Sequence, residues 1–327
     1  MENDFSIHES FMRRCLSLAS LGLGRVQPNP LVGAVLVARN KIIGEGFHRE
    51  YGKSHAEIDA IRSVKDPELI KESTLYVNLE PCSHYGKTPP CAEAIISYGI
   101  PKVVIGNIDP NAKVNGQGIR MLNDAGIETV THILDEQCKE LNKRFFTYHL
   151  LKRPYIILKW ARTADGFMDV AHRNPEDIGA HWITNRELRT IVHKWRSEED
   201  AILVGYNTWK NDRPQLTTRY YPGKNPKRFV ISNQKASPET DQSVQFLPDH
   251  IKEASDILYR EKIQSVIVEG GPKTLYKFLD AGLWDEIRIL TGDHYWEEGL
   301  PAPSLNLAYD AELKVTNNTV HYVRRHL

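Results

Sequence analysis

The sequence predicts two α/β domains, residues 1–150 and 151–327, on three observations. The chain has 327 residues, whereas a single domain usually contains about 100–200. Strand patterns alternate with helical patterns along both halves, which is typical of layered α/β proteins. A break falls at Leu150–Pro154, because the residue before a proline disfavours a helix and a new strand pattern begins at Tyr155.

The N-terminal half begins with a helical repeat of apolar residues and then alternates between strands and helices. The expected elements are a helix over residues 5–24, strands at Leu31–Val37 and Ile42–Phe47, a helix at Ser54–Val64, a strand at Thr74–Leu79, a helix from Cys91, a strand at Lys102–Ile105 and a helix at Gly118–Ala125. Asn40-Lys41 predicts a hairpin turn, so the first two strands should be antiparallel. The later strands are separated by helices and should be parallel.

The C-terminal half repeats the alternation. The expected strands are Tyr155–Trp160, Asp200–Val204, Arg228–Ile231, Ser265–Glu269 and Glu286–Leu290, and the expected helices are Asn185–Glu198, Ile251–Glu261 and Lys273–Ala281. The stretch Leu203–Trp209 is interpreted as the end of a strand followed by a polar turn.

Composition restricts the class of partner. Lys and Arg number 42 and Asp and Glu also number 42, so the formal net charge is zero. A partner bound mainly through a polyanionic backbone, such as a nucleic acid, calls for a basic excess. We therefore expect no nucleic-acid partner, but a small phosphorylated substrate needs only a few local cations. We also expect a homo-oligomer, although the sequence does not determine the number of subunits.

No apolar segment approaches the length of a membrane span, and residues 1–4 lack the basic and apolar regions of a signal peptide. We therefore expect a cytoplasmic protein without a membrane partner, whose four cysteines are thiols. Cys15 and Cys138 fall in or after apolar helical patterns, where a packing or surface role is more common than a ligand role.

The strongest functional pattern is a set of zinc ligands. His55 stands at the start of one helix, Cys82 follows a strand and Cys91 starts another helix. Catalytic zinc sites use three protein ligands of these types and leave the fourth position open. Bound zinc lowers the pKa of water from about 15.7 to about 7. Glu57, two residues after His55, is predicted to take a proton from water and give it to a departing amine.

This arrangement matches the signature of zinc nucleobase deaminases in part, because that signature has two residues between its cysteines. Here eight residues, 83–90, separate Cys82 from Cys91. Two other interpretations stay open: a closed structural zinc site in which His84 is the fourth ligand, and a chance combination of unrelated residues. An imidazole at His84 and an ammonium at Lys87 would suit a substrate with a carbonyl and a phosphate.

The N-terminal half resembles the bifunctional deaminase/reductase family of riboflavin biosynthesis. The resemblance rests on these stretches: Pro28–Gly33, Gly44–His48, His55–Glu57, Glu80–Cys91, Asp109–Asn111 and Gly116–Gly118. It implies a cytidine-deaminase-like three-layer domain with zinc. It also implies that the pyrimidine and ribose-phosphate site is formed by six residues: Asn29, His48, His84, Lys87, Asp109 and Asn111. Taken alone, the asparagines would pass for turn residues.

The C-terminal half contains weaker patterns. The strand at Val266–Glu269 runs into Gly270-Gly271-Pro272 and a helix, which is typical of an anion site and equally of tight packing. Arg196 and Arg219 flank the Leu203–Trp209 stretch, and arginine side chains suit phosphate. The glycine fingerprint of a Rossmann domain is absent.

This half also resembles the same family, in its reductase domain, which implies a dihydrofolate-reductase-like fold that uses NADPH. The matching stretches are Lys159–Gly166, Trp182–Thr184, Gly205–Pro214, Leu216-Thr217, Arg219 and Glu269–Pro272. By the resemblance, the cofactor contacts are Ala161, Trp182, Thr208, Asp212 and the turn from Gly271. The substrate contacts are Arg196, Leu216, Arg219 and Glu269. Hydride chemistry belongs to the cofactor, which the protein orients.

The chain departs from the family pattern at three places in this half. The segment Phe167–His181 is longer than usual and has Ala180 where the family has serine. Arg213 interrupts the usual sequence before Pro214, and Thr291–Gly299 lacks the usual Ala-Pro-Lys pattern.

The resemblance implies two consecutive steps: deamination of a diaminopyrimidinone ribosyl-phosphate, then reduction of its ribosyl group with NADPH. The alternatives are a deaminase with a vestigial reductase domain, a nucleic-acid or nucleoside deaminase with an appended binding domain, and a zinc-stabilised module without turnover. Neutral charge and the long insert between the cysteines oppose the nucleic-acid enzyme. Glu57 opposes the inactive module, because a structural zinc site has no use for that acid.

Overall fold

The computed structural model describes residues 2–85, 89–111, 114–170, 181–234 and 243–325, with side chains from residue 6 onward. The chain divides into two compact units, of which the first ends at Leu151 and the second begins at Lys152. Both units are α/β, as predicted. None of the described helices combines the length and the apolar character that crossing a bilayer requires.

The first unit is built on a five-stranded sheet. Its strands are β1 (Gly33–Ala38), β2 (Lys41–Phe47), β3 (Thr74–Leu79), β4 (Lys102–Asn107) and β5 (Glu128–Val130), and its helices are α1 (Glu2–Ser20), α2 (Ala56–Arg62), a 3-10 helix (Pro67–Glu72), α3 (Cys91–Ser97), α4 (Gln117–Asp124), α5 (Asp135–Leu141) and α6 (Lys143–Leu151). The strand order is β2-β1-β3-β4-β5. The first two strands form the predicted antiparallel hairpin, and β3, β4 and β5 are parallel. The hairpin turn is Arg39-Asn40, one residue earlier than expected; both residues have positive φ, as a tight two-residue hairpin requires.

Helices cover both faces of this sheet, so all six residues of β1 are buried. Successive strand residues point to opposite faces. Val35 packs with Met12 of α1 in one apolar layer, and that layer also contains Cys138 of α5. Leu36 packs in the other layer with side chains of α2, α3 and α4. The result is the expected three-layer arrangement.

The second unit is built on an eight-stranded sheet. The strands of that sheet are β6 (Tyr155–Arg162), β8 (Ala201–Gly205), β9 (Lys227–Ile231), β10 (Val244–Leu247), β11 (Ser265–Val268), β12 (Glu286–Thr291), β14 (Ala311–Val315) and β15 (Asn318–Arg324). Two short strands, β7 (Phe167–Asp169) and β13 (Leu300–Pro301), lie outside it, and the helices of the unit are α7 (Arg186–Glu198), α8 (Tyr206–Asp212), α9 (Ile251–Arg260) and α10 (Pro272–Asp280). The order is β10-β9-β8-β11-β6-β12-β15-β14, and β7 pairs separately with β13. From β10 to β12 the neighbours are parallel, and β15 and β14 continue antiparallel. The carboxyl ends of the parallel strands therefore meet at one edge, where ligands bind in such sheets.

The structure differs from the sequence prediction after β8. The expected polar turn is the helix α8. Tyr206 and Trp209 lie three residues apart, so in a helix both are on one face. Both pack against the apolar layer that also contains residues of α7, and this packing favours a helix over a turn. The pairs β7–β13 and β14–β15 were not predicted. All but the last residue of β14 are exposed, so that strand shows no apolar alternation to recognise.

Candidate functional site

The three predicted metal ligands meet in the first unit. His55 is the N-cap residue of α2, Cys82 lies after β3 and Cys91 begins α3. Their ligand atoms all lie within 4.8 Å of one another. The Nδ1 atom of His55 is 3.1 Å from the Cys91 sulfur and 3.6 Å from the Cys82 sulfur. One imidazole nitrogen and two sulfurs therefore face a common point, a donor set that suits zinc.

The surroundings favour a thiolate at this point. The Cys91 backbone N–H donates to the Cys82 sulfur over 3.3 Å. Hydrogen bonding from the Cys91 side chain lowers the pKa of Cys82. A hydrogen bond with the Cys82 sulfur raises the pKa of His55. The Cys82 sulfur in turn raises the pKa of Cys91, and a bound cation would displace the proton of that thiol, because metal ligands must be deprotonated.

Glu57 lies beside the cluster and is not part of it. It belongs to the first turn of α2, and only 3% of its surface is exposed. Among the described residues, the candidate metal ligands are His55, Cys82 and Cys91 alone. Burial raises the pKa of Glu57, and the nearby His55 opposes that rise. A carboxyl group with a raised pKa is suited to accept a proton and pass it on.

The closed-site interpretation needed His84 as a fourth ligand. The structure places His84 on the surface, outside the described ligand cluster. Three ligands from the described residues leave one position open, as in catalytic zinc sites. Lys87, in the same insert, lies outside the described residues.

Asn29 and His48, both predicted to contact substrate, are joined by a hydrogen bond. The side-chain nitrogen of Asn29 lies 3.0 Å from His48 Nε2, and His48 Nδ1 lies 3.0 Å from the Ser54 carbonyl oxygen. The carbonyl can only accept, so Nδ1 carries the proton and Nε2 accepts from Asn29. Burial lowers the pKa of His48, which keeps the ring neutral. The ring is 5.6 Å from that of His55, which brings this pair to the metal ligands.

Two buried asparagines that the sequence analysis missed hold the segment after Asn29. Asn78 accepts from the Gly33 N–H and donates to the Leu31 carbonyl. Asn142 accepts from the Leu31 N–H and donates to the same carbonyl. In the sequence, Asn78 is a polar residue inside the otherwise apolar strand 74–79. That position could have indicated a structural role, because a buried polar side chain needs hydrogen-bond partners.

Asp109 and Asn111 also lie in this unit, after β4. Asp109 is 8% exposed, and its Oδ1 atom accepts from the Asn111 backbone N–H over 2.7 Å. Burial raises the pKa of Asp109 to about 6, and repulsion from Glu80 and Cys82 adds to the rise.

The second unit contains a cavity of about 430 Å³ at the carboxyl edge of its sheet. All nine residues that the resemblance assigned to the cofactor and substrate line it: Ala161, Trp182, Arg196, Thr208, Asp212, Leu216, Arg219, Glu269 and Gly271. Lys159 and His193, which were not predicted, line it too. Ala180 lies outside the described residues.

A group of nearly buried charged side chains is part of the lining of this cavity. Arg196 donates to both carboxylate oxygens of Glu269, over 2.8 and 2.9 Å, and to the Thr217 carbonyl over 3.1 Å. Lys159 adds an ion pair to Glu269 at 3.2 Å. These cations hold the pKa of Glu269 far below its usual range despite burial. The guanidinium of Arg196, which the sequence pattern suggested for a phosphate, is therefore paired with the carboxylate of Glu269 in this structure.

Arg219 is differently placed. Its side chain lies over the Tyr220 ring, 4.9 Å from the centroid. Within the described ranges it forms no ion pair with a carboxylate. Arg219 is exposed and lines the cavity, so its guanidinium is open to an anionic group.

The glycine turn before α10 approaches α8 closely. The Gly271 N–H donates to the Thr208 hydroxyl over 3.2 Å. A side chain on Gly205 would place its Cβ 2.3 Å from the Thr274 hydroxyl oxygen, so only glycine fits there. A second cavity of about 410 Å³ begins at this turn and shares Thr208, Asp212 and Gly271 with the first. Two adjoining cavities offer the elongated space that a dinucleotide needs, and the residues present fit NADPH.

The two halves match two family models. The model of the cytidine and deoxycytidylate deaminase zinc-binding region matches residues 5–107, and that of the RibD C-terminal domain matches residues 154–292. Riboflavin biosynthesis protein RibD of Aquifex aeolicus is 38% identical over 345 residues, which cover 96% of this chain and 95% of that protein. The Escherichia coli K12 protein of the same name is 34% identical over 325 residues, 86% of each chain.

Solved structures agree over the whole length. The crystal structure of a diaminohydroxyphosphoribosylaminopyrimidine deaminase/5-amino-6-(5-phosphoribosylamino)uracil reductase from Thermotoga maritima has a TM-score of 0.88 at 35% identity, and covers 98% of this chain and 99% of that one. Acinetobacter baumannii RibD has a TM-score of 0.86 at 28% identity, with the same coverage. These relatives contain both halves in one polypeptide.

Proposed function

Because this chain belongs to the RibD family of riboflavin-biosynthesis proteins and is both a zinc-binding deaminase and an NADPH-dependent reductase, we propose that its two halves act in turn on one phosphorylated pyrimidine. The first step removes the ring amine of 2,5-diamino-6-ribosylamino-4-pyrimidinone 5′-phosphate as ammonia. The second reduces the ribosyl group of that product to ribityl. The Thermotoga maritima relative is named for a deaminase and a reductase of this kind.

In the deaminase half, we propose that His55, Cys82 and Cys91 hold zinc and that Glu57 moves protons. Zinc bound there would act as a Lewis acid that makes water a stronger nucleophile. Glu57 would accept a proton from the attacking water as its oxygen bonds to the ring carbon, and would pass that proton to the ring amine, whose C–N bond breaks to release ammonia. The neutral pair of His48 and Asn29 lies beside these ligands, as a substrate-orienting group must.

In the reductase half, we propose that the cavity at the carboxyl edge orients NADPH and the deaminated product. NADPH, when bound, supplies the hydride. Thr208, Asp212 and Gly271 border both cavities and would contact the cofactor. Arg219, which is open to the cavity, would bind the substrate phosphate. Arg196 and Lys159 keep Glu269 ionised, and its carboxylate would contact the substrate.

The observation that carries the proposal is the open three-ligand cluster with a buried carboxyl group beside it. The test is product analysis with the purified full-length protein, zinc, the diaminopyrimidinone substrate and NADPH. We expect one ammonia released and one NADPH oxidised for each ribityl product. Ammonia without NADPH oxidation would indicate a deaminase whose second half is vestigial. No turnover of this substrate, with salt-sensitive RNA binding, would favour a nucleic-acid enzyme.

Two further predictions belong to this proposal. We infer that the halves on either side of residues 150–152 fold independently, which separate expression of residues 1–151 and 152–327 would test by circular dichroism and thermal unfolding. We also infer a homo-oligomer without a nucleic-acid partner. Light scattering of the purified protein would measure the subunit number.

A further inference from the structure

The carboxylate of Glu80 accepts four backbone N–H groups. Oε2 accepts from Asp109 over 3.1 Å and from Gly116 over 2.9 Å. Oε1 accepts from Gly118 over 2.9 Å and from Ile119 over 3.4 Å. The side chain is buried, with 4% of the residue exposed. Both oxygens are thus fully used by main-chain donors from a segment about 30 to 40 residues further along the chain.

These four donors belong to two adjacent parts of one segment. Asp109 and Gly116 lie at either end of a loop, and a single oxygen of Glu80 joins the two ends. Gly118 and Ile119 lie in the first turn of α4, where backbone N–H groups have no partner within the helix. Glu80 therefore closes the loop and at the same time attaches the helix that follows it.

The chain around Glu80 is itself fixed in place. Its N–H donates to the Asn107 carbonyl over 2.8 Å, at the end of the parallel pair β3–β4. The next residue, Pro81, lies against α4 so closely that a Cβ on Gly118 would be 2.1 Å from the Pro81 carbonyl oxygen. Cys82, a ligand of the candidate zinc site, follows directly. The turn that delivers a metal ligand and the loop from Asp109 are therefore held by the same residue.

The loop contains Asp109 and Asn111, which the proposed function assigns to the substrate site. Asp109 accepts from the Asn111 N–H, so the Asp109 side chain is linked directly to the backbone of Asn111. A catalytic group must be held within a fraction of an ångström of its productive position, and this depends on the residues that support it. A carboxylate with four fixed donors supplies such support for Asp109 and Asn111, which lie beyond the last strand pair of β4, Leu79 with Asn107.

We propose that Glu80 is a positioning residue for deamination, which fixes the substrate-binding loop relative to the turn that bears Cys82. It acts through Asp109 and Asn111 and does not contact the reacting atoms. This inference rests on the proposed function. Because the loop binds parts of the substrate that do not react, loosening it should weaken substrate binding more than it slows the chemical step.

The test compares full-length, zinc-loaded variants with the wild type. Glu80→Gln keeps the size of the side chain but replaces one acceptor oxygen with an NH₂ group, which faces backbone donors. We expect the deaminase KM to rise about tenfold or more, and kcat to change less than about threefold. Zinc content and NADPH oxidation with the deaminated product should equal those of the wild type. An unchanged KM, or a loss of zinc, would overturn the proposal.

A double variant separates positioning from a general structural role. If Glu80 acts through the loop, Glu80→Gln should add less than about twofold to the KM of Asn111→Ala, because residues acting as a unit are not additive. Additive effects would overturn the proposal. Asp135→Asn is the matched control: Asp135 accepts from Asn107 in the same unit and forms no hydrogen bond or ion pair with the described residues of the loop, so KM should not change.

Two further measurements keep the inference testable if Glu80→Gln does not fold or if the substrate is a different one. Gly118→Ala drives α4 away from Pro81 and should raise the deaminase KM in the same way. Amide hydrogen exchange needs no substrate: Glu80→Gln should accelerate exchange at Asp109, Gly116 and Gly118 while the core of β3 stays protected. Uniform protection would overturn the proposal. Failure of the wild type to deaminate the named substrate would contradict only the proposed function.

Discussion

Arg196 and Glu269 form a two-point ion pair in the reductase half, with nitrogen–oxygen distances of 2.8 and 2.9 Å. Both side chains are nearly buried, with 12% and 10% exposed. Lys159 joins Glu269 from β6, so the carboxylate balances two cations next to a cavity. The pair links α7 to the end of β11, and both α7 and the turn after β11 contribute residues to the lining of that cavity.

Removing the shared acid should therefore destabilise the protein. Glu269→Gln leaves Arg196 and Lys159 buried without a counter-charge, and breaking a buried pair in this way costs about 3–5 kcal/mol. Urea unfolding of the full-length protein should show this loss in the transition of the second half. Glu9→Gln breaks an exposed pair with Arg13 and is the control, for which we expect a change below about 0.5 kcal/mol. Equal stability of the two variants would contradict this account.

How far the sequence predicts the structure depends on the range of the interactions. His55, Cys82 and Cys91 stand at element ends that short patterns reveal, and the structure brings their ligand atoms together. The partnership of Arg196 with Glu269 spans 73 residues, and no local pattern records it. The sequence pattern suggested that the Arg196 guanidinium suits a phosphate; in this structure it is paired with Glu269, and a contact of Arg196 with substrate stays a prediction.

The strand order of the second sheet could not be predicted from the sequence for the same reason. β11 lies between β8 and β6, which precede it by about 60 and 110 residues, and pairing at such separations is decided by tertiary packing. The four amides on Glu80 are equally invisible, because backbone donors carry no sequence signature. What the sequence does record is local: helix and strand periods, turn residues and the ends of elements.

The stability of the second unit should depend on pH through His193. Burial, together with Arg196, Arg219 and Lys159, lowers the pKa of His193 to about 4, and Glu269 only partly opposes this shift. The unfolded chain has an ordinary histidine pKa of about 6.5, so between pH 6.5 and 4 it binds a proton that the folded chain does not. Stability is therefore lost as the pH falls through this window.

The measurement is the free energy of unfolding at pH 7 and pH 5. His193→Gln should reduce the loss between these values by an amount on the order of 1 kcal/mol, because glutamine does not titrate. The exposed His294 is the control, and His294→Gln should leave the loss unchanged. The same pH dependence in His193→Gln and the wild type would show that other groups are responsible.

The metal should be lost when one sulfur is removed. We expect about one zinc per chain in the wild type, because three ligands of the described residues meet at one point. Cys82→Ser should lose both the metal and deamination, whereas Cys15→Ser, in the apolar layer under β1, should keep both. Elemental analysis after dialysis against a weak chelator makes the measurement. Zinc-free wild-type protein with full deaminase activity would contradict the assignment.

Glu57 should separate proton transfer from metal binding. Glu57→Gln keeps the size of the side chain and removes its ability to accept a proton, so zinc content should stay at about one per chain. Deaminase kcat should fall about 10²- to 10⁴-fold, the usual contribution of general acid–base catalysis. The variant should still oxidise NADPH when the deaminated product is supplied. Near-normal deamination by this variant would rule out the role.

Arg219 tests the reductase half, where the chain departs from the family at Ala180 and Arg213. Arg219 is open to the cavity and bound to no carboxylate among the described residues, so it is the cation best placed for the substrate phosphate. Charge-assisted hydrogen bonds contribute about 1.5–3 kcal/mol each, which corresponds to roughly 10- to 150-fold in binding. Arg219→Ala should therefore raise the KM for the deaminated product by such a factor and leave the KM for NADPH nearly unchanged.

Lys252→Ala removes an exposed charge from α9, away from the cavity lining, and controls for the general loss of positive charge. We expect the wild type to oxidise NADPH only when the deaminated product is present, because the hydride acceptor is that product and not the diamino substrate.

If the authentic product induces no NADPH oxidation while deamination is normal, Arg213 is the first residue that should be substituted. Its φ of 45° lies in the left-handed region at the end of α8, one residue after the proposed cofactor contact Asp212. Arg213→Asn, a residue that tolerates this conformation, should then restore activity if the departure there is what disables the site.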